Sequence, residues 1–321
     1  MKQVVTRQAA DHTSSIKPQS LGGVFSDAVV KAFDHTSIGI IYVGLGGNIR
    51  CYNEKILEIL DLTIIDGILP SYQELVTYVA KTVKNSKDIE NLFTLPIKEY
   101  YQKQELVVET KNNRVLFCSS QAVIENGLID GIVWSVSDIT EHKTQERIAT
   151  YRSLHDALTQ LPNRTYLFKK LETLTDSTRE RPKKFALLFL DLDDFKQIND
   201  EYGHAIGDQF LISCSSRIRN SLRVPDTLAR LSGDEFVIIL DEIDSHELVE
   251  KVIGRIYQSL SNSFHVSGTE IPASLSIGIS FYPNESSNPR ELIRQADKAM
   301  YQAKKRGKNT FCFYQASMES L

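Results

Sequence analysis

The sequence predicts an α+β chain in two parts: an N-terminal antiparallel sheet with helices, then a C-terminal half where strands and helices alternate. Three observations carry this. At 321 residues the chain exceeds one typical domain. Residues 21–140 read as short strands around a helical middle, with Asn-Asn and Asn-Gly turn signals between the later runs. From residue 158 on, apolar strands alternate with amphipathic stretches over ~150 residues, the pattern of a layered α/β sheet. The two parts are joined by residues 141–157 (EHKTQERIATYRSLHDA), which are charged and helix-prone.

Composition narrows the class. The chain is 41% hydrophobic and 24% charged, as in ordinary globular proteins. A net charge of −4 argues against a broad nucleic-acid surface, which needs a basic excess. Cys51, Cys118, Cys214 and Cys312 form no C-x-x-C pair and give no zinc or disulfide framework, so most of them read as small core residues of a reduced, cytosolic protein. No apolar run approaches the ~20 residues of a membrane span. Residues 1–20 are polar, lack the apolar core of a secretory signal and read as a poorly ordered tail. The expected location is the cytoplasm.

In the first part, Ile38–Val43, a Gly-rich turn and a strand through Ile49 and Tyr52 read as a hairpin. Glu54–Leu60 follows with apolar residues at helical spacing. QELVVET, RVLFCSSQAVI and LIDGIVWSVSDIT complete a sheet of about five strands with helices on one side. Residues 141–157 place Ile148, Tyr151 and Leu154 at near-helical spacing, which suits a solvated linker helix or a short coiled coil joining two protomers. In the second part the expected elements are a helix at 163–174, a strand at 185–190, and a helix at 207–221. A strand pair around LARLSGDEFVIIL follows, then a helix at 245–261, a strand at 273–281, a helix at 290–306 and a last strand at 310–314.

Chemistry concentrates in the second part. FALLFLDLDDF is a buried strand running into acids, and period-2 alternation puts Asp191 and Asp193 on one side with Leu192 opposite. Asp234 and Glu235 bring two more acids to a tight turn between apolar strands. An oxygen-rich cluster without His or Cys points to Mg²⁺, which takes one or two carboxylates and completes its shell from phosphates and water, and so implies a nucleoside triphosphate. Lys196 offers a point charge to a phosphate. Asn199 and Asp208 offer an amide and a carboxylate, and an Asp accepting from N1–H and the 2-amino group reads guanine over adenine. Gly203 and Gly207 look like turn or cap positions. Asp208 as a helix N-cap and His204 as a turn histidine are equally good readings on physics alone.

These residues fall in five ordered blocks: LHDALTQLPNR, DLDDFKQINDEYGHAIGD, RLSGDEF, ASLSIGIS and ADKAMYQAKKRGKN. Over residues 150–316 they resemble the GGDEF family of diguanylate cyclases, which condense two GTP into cyclic di-GMP and two pyrophosphates. The resemblance implies Mg²⁺ ligands at Asp191, the Leu192 carbonyl and Asp234, with two ions per site. It implies that Asp234 and Glu235 serve metal binding and deprotonation of the ribose 3′-hydroxyl. Lys196 and Lys304 then lie on the triphosphate, Asn199 and Asp208 read guanine, His204 lies at the ribose, and Gly233 meets the nucleotide with its backbone. One site holds one GTP, so the active form is an antiparallel homodimer. Residues 25–140 resemble a PAS sensor domain, in the first hairpin with its Asn53 step into a helix and in the strand ending Asp138-Ile139-Thr140. The domains expected are thus a tail at 1–20, a PAS-like sensor at 21–140, a linker helix at 141–157 and a GGDEF α/β domain at 158–321. No phosphodiesterase half is expected after it.

The chain departs from the family pattern at two places. Ser232 stands where the motif begins with Gly, and a non-Gly residue would cost ~1–2 kcal/mol if that position were left-handed. Lys308 replaces an Arg of the phosphate-binding set, keeping the charge but losing the bidentate fork. Upstream, Arg223 and Asp226 form an R-x-x-D whose Asp lies six residues before Ser232, resembling the family's product-inhibition site. The competing function is a catalytically inactive GGDEF domain that binds cyclic di-GMP through Arg223 and Asp226. Retention of Asp191, Asp234, Glu235, Asn199 and Lys304 disfavours it. Mixed GTP/ATP use is disfavoured by Asp208, which finds no matching donors on adenine. The sensor-like part carries no residue pattern that selects haem, flavin or another ligand: His12, His35 and His142 are isolated, and Trp134 reads as core.

Overall fold

The computed structural model describes residues 35–62, 70–87, 89, 103–176, 184–243, 245–266 and 268–320; the tail expected at 1–20 and His12 lie outside them. The chain divides into two compact units, residues 1–147 and 148–321.

The first unit contains β1 (Ile38–Gly44), β2 (Ile49–Tyr52), α1 (Glu54–Ile59), α2 (Tyr72–Thr82), β3 (Gln104–Glu109), β4 (Val115–Glu125) and β5 (Leu128–Asp138). They form a five-stranded antiparallel sheet ordered β2-β1-β5-β4-β3. The Asn-Gly signal is a true turn, with Asn126 and Gly127 both at positive φ between β4 and β5. Alternation buries Leu116, Cys118, Trp134 and Val136 on one face, where they meet Ile56, Ile59, Leu75 and Val79 of the helices. Asn53 makes the step from hairpin to helix. It is fully buried, and its Oδ1 accepts from the backbone N–H of Ile40 (2.8 Å) and of Ile56 (3.2 Å). Its Nδ2 donates to the carbonyl of Ile38 (2.8 Å), so one amide satisfies both the strand and the helix N-terminus.

Strand β5 lies at the centre of this sheet, and the chain leaves it at Asp138, whose carboxylate accepts from Thr140 N–H (3.0 Å). There α3 (Thr140–Leu154) begins, a helix with no buried residue, on which Ile148 and Tyr151 stay exposed.

The second unit contains α4 (Arg164–Leu174), β6 (Phe185–Leu192), α5 (Phe195–Tyr202), α6 (His204–Asn220), β7 (Thr227–Ser232), β8 (Glu235–Asp241) and α7 (His246–Leu260). It continues with a short hairpin of β9 (Phe264–Val266) and β10 (Thr269–Ile271), then β11 (Leu275–Tyr282), α8 (Pro289–Lys305) and β12 (Phe311–Phe313). The sheet order is β12-β11-β6-β8-β7, antiparallel except for β11 with β12. Every residue of β6 is buried. Its even positions Leu188 and Leu190 pack with Phe210, Cys214, Val252 and Ile256 of α6 and α7, and its odd positions Leu187 and Phe189 with Leu167, Leu171, Leu292 and Ala296 of α4 and α8. A strand covered on both faces has to read as a continuous apolar run, as FALLFL does.

Three differences from the sequence reading matter. The strand expected at 185–190 runs on to Leu192, so Asp191 belongs to the sheet. The helix expected from Gly207 starts at His204, and α5 precedes it as a separate helix. Gly203 separates the two at φ +84, a backbone that favours glycine. With α6 starting at His204, Asp208 lies inside the helix and is no N-cap.

Helix α8 approaches the sheet through Gly278 of β11. A Cβ there would lie 1.9 Å from the Ala296 carbonyl oxygen and 2.1 Å from Met300 N, both backbone atoms that cannot swing aside. Gly278→Ala is expected to cost about 3 kcal/mol or more, read as a fall in the urea midpoint at unchanged slope.

Candidate active site

The sheet register gathers the acids. Asp191 on β6 pairs with Glu235 on β8 and, on its other side, with Ser276 on β11. The β7–β8 turn is tied to the end of β6 by Leu192 N–H donating to the Asp234 carbonyl (3.3 Å). Asp191 is 8% exposed and its Oδ1 lies 2.6 Å from Nζ of Lys304, in the last turn of α8. Burial, with Asp234 and Asp193 nearby, pushes the Asp191 carboxyl up to about 6 against the pull of Lys304. Burial also raises Asp234, with Glu235 adding to it.

Asp193, the other acid on that side, is committed to the scaffold. It accepts from Ser276 Oγ (2.7 Å) and Asn309 N–H (3.0 Å), and its own N–H donates to Ser274 O (2.9 Å). Asp194 takes a left-handed backbone (φ +58) and holds Nζ of Lys308 at 2.6 Å.

The turn itself answers the Ser232 question. Gly233 carries the left-handed φ of +48, while Ser232 is not among the positive-φ residues, so serine meets no backbone penalty there. Its hydroxyl donates to Glu235 Oε2 (2.8 Å). Two residues outside the predicted set hold this turn. Arg230 forks onto the Gly233 carbonyl with Nε (2.9 Å) and Nη2 (2.7 Å), and its Nη1 meets Asp156 Oδ1 at 2.8 Å. That Asp156 oxygen also accepts from the N–H and hydroxyl of Thr159 (2.8 and 2.7 Å), so the LHDALTQLPNR block braces the GDEF turn. The pair spans 74 residues, and no spacing rule connects its members.

The remaining predicted residues fall into two groups. The Asn199 side chain on α5 lies against Gly207 of α6, the residue before Asp208. Lys196 on α5 and His204, the first residue of α6, are exposed. Arg223 and Asp226 lie away from the acids. Arg223 Nη2 donates to the carbonyl of Asp241 (3.2 Å), at the opposite end of β8 from Glu235 and roughly 20 Å along the strand. Asp226 is buried and already accepts the Arg223 N–H (3.0 Å) and, more loosely, its guanidinium (3.4 Å).

Among the described residues no three His, Cys, Asp or Glu side chains gather closely enough to form a protein-only metal cage. The donors suit a hard cation that brings its other ligands with it: two carboxylates, Asp191 and Asp234, both raised chiefly by burial, whose ionised forms a divalent ion would favour.

The model of the diguanylate cyclase GGDEF domain matches residues 153–310. This segment of the chain belongs to the GGDEF diguanylate cyclase family. It is 44% identical over 171 residues to the bifunctional diguanylate cyclase/cyclic di-GMP phosphodiesterase MucR of Pseudomonas aeruginosa, covering 52% of this chain and 24% of MucR. It is 38% identical over 161 residues to the diguanylate cyclase TpbB of the same organism, covering 50% of this chain and 37% of TpbB. The isolated GGDEF domain of TpbB superimposes with a TM-score of 0.50 at 36% identity, covering 52% of this chain and 97% of that structure. The coiled coil and GGDEF domain of DgcB from Caulobacter crescentus, solved with c-di-GMP, gives a TM-score of 0.50 at 25% identity over 55% of this chain and 93% of that one. The chain thus spans between about a quarter and two fifths of the two curated relatives. No helix among the described residues is long and apolar enough to cross a membrane.

Because its pKa is raised on folding, the Asp191 carboxyl binds its proton more tightly in the folded chain, and ionising it costs stability. That cost grows as pH rises from the ordinary carboxylate range to about 6 and is complete above it. In protein free of metal and nucleotide, Asp191→Asn is therefore expected to raise Tm near pH 8, with the gain fading by about pH 4. Thermal melts of both proteins across that range check it.

Proposed function

We propose that the C-terminal unit is a diguanylate cyclase that condenses two GTP into cyclic di-GMP and releases two pyrophosphates. The observation that carries this is the convergence of Asp191, Asp234 and Glu235 at the ends of paired strands, with Lys304 Nζ 2.6 Å from Asp191. In each half-reaction the ribose 3′-oxygen of one GTP attacks the α-phosphorus of the other, the bond to the β-phosphate oxygen breaks, and the hydroxyl proton leaves to a base. Glu235 and Asp234 are the carboxylates placed to take that proton. Lys196, Lys304 and Lys308 offset the triphosphate charge, and the Gly233 backbone leaves room for close approach. Mg²⁺ held by Asp191, Asp234 and the Leu192 carbonyl would lower the hydroxyl's pKa and neutralise phosphate charge.

Asn199 and Asp208 select guanine, with His204 at the ribose. One such site holds one GTP, so the working unit is a homodimer with its sites facing each other. Residues 21–140 act as a PAS-like sensor and 141–157 as the linker that passes its state on. The central position of β5, its exit at Asp138 into α3 and the buried Asn53 step from hairpin to helix support that reading. Cyclic di-GMP inhibits at Arg223 and Asp226. Asp226 is buried and holds the Arg223 backbone N–H, while the half-exposed guanidinium, bonded only at long range to Asp226 and the Asp241 carbonyl, is the part that meets a guanine or phosphate.

Incubation of the purified protein with GTP and Mg²⁺, with separation of the nucleotides, tests the proposal. Wild type yields cyclic di-GMP and pyrophosphate, and Asp234→Asn loses at least about a hundred-fold in rate. Wild type without product under dimer-forming conditions, but binding cyclic di-GMP, would establish the receptor reading instead. Arg223→Ala is expected to keep turnover and lose product inhibition, and inhibition that persists would remove Arg223 from the regulatory site.

A further inference from the structure

Gly207 is the fourth residue of α6, where glycine is less favourable than alanine. Its φ is not positive, so the backbone does not require glycine there. The neighbour does. A Cβ at Gly207 would lie 1.9 Å from Oδ1 of Asn199 and 3.0 Å from its Cγ, while the next atom, Phe195 Cζ, is at an ordinary 3.5 Å. The two close atoms belong to the end of a side chain that can rotate away. The contrast with Gly278 is direct, since there the blocking atoms are backbone.

A methyl group at 207 would therefore displace the Asn199 amide and little else. That amide makes no hydrogen bond with the described chain, so its place against Gly207 contributes little to the fold. Resting on the GTP reading above, we infer that Gly207 is a positioning residue for base selection: its missing Cβ is the seat that holds the Asn199 amide against the guanine. The cost of glycine in a helix is accepted because the seat has to be empty.

Titration calorimetry with a non-hydrolysable GTP analogue and Mg²⁺, beside thermal melts, tests this on the full chain with Gly207→Ala, Asn199→Ala and the double variant. Gly207→Ala is expected to weaken binding about ten-fold, the scale of one lost hydrogen bond, with Tm unchanged or higher. Asn199→Ala should weaken it similarly, and the double variant should bind no worse than Asn199→Ala alone. Wild-type affinity in Gly207→Ala, a lowered Tm, or losses that add in the double variant would each overturn the inference. Asn199→Ala binding like wild type, or wild type failing to bind the analogue, would instead remove the base-reading role on which it rests.

Discussion

Strand β6 buries all eight of its residues, and its seventh is an aspartate. A carboxylate at that depth has to be compensated by groups the fold brings to it, or it protonates. Lys304 does part of this at 2.6 Å, yet the Asp191 carboxyl still lies near 6, because burial outweighs the pull of the ammonium and Asp234 and Asp193 add to it. The site is thus left short of positive charge. The packing of α8 on β11 at Gly278 belongs to the same arrangement, since it sets where the last turn of that helix, and with it Lys304, arrives.

A second layer keeps the turn rigid while leaving its acids free. Arg230 spends its fork on the Gly233 carbonyl and its third nitrogen on Asp156, so the turn is held through its backbone. Asp193 does the same for the other rim, joining β6 to β11 and to the chain after α8. Arg230 and Asp193 are both buried. The charged groups that look like candidates for chemistry therefore divide by their partners: those whose bonds close within the scaffold, and those whose compensation is incomplete.

Much of this was legible in the sequence. The strands of both units follow from alternation and from the apolar run of β6, and the acids at the strand ends point to a cation and a triphosphate without any family resemblance. Helix α5 carries Phe195, Ile198 and Tyr202 at helical spacing, but it is only eight residues long and its charged and amide residues read first as a motif. Helix α2 falls in the helical middle expected of the first part, without bounds of its own, and the β9–β10 hairpin gave no signal. The Arg230–Asp156 brace was invisible because its members lie 74 residues apart and meet only when β7 runs past the turn before α4. Ser232 looked like the weak point of the motif because sequence cannot say which of two adjacent residues turns left-handed. The structure gives that role to Gly233.

The glycines show why residue type alone underdetermines role. Gly233 is required by its own backbone, at φ +48. Gly278 is required by the backbone of a neighbouring helix, at 1.9 Å. Gly207 is required by neither, and its conflict is with one mobile amide. A substitution at the first two positions acts on folding, and a substitution at the third acts on where a side chain waits. Stability and function therefore separate at Gly207 in a way they cannot at Gly278, and only the geometry of the contact, not the identity of the residue, distinguishes the two cases.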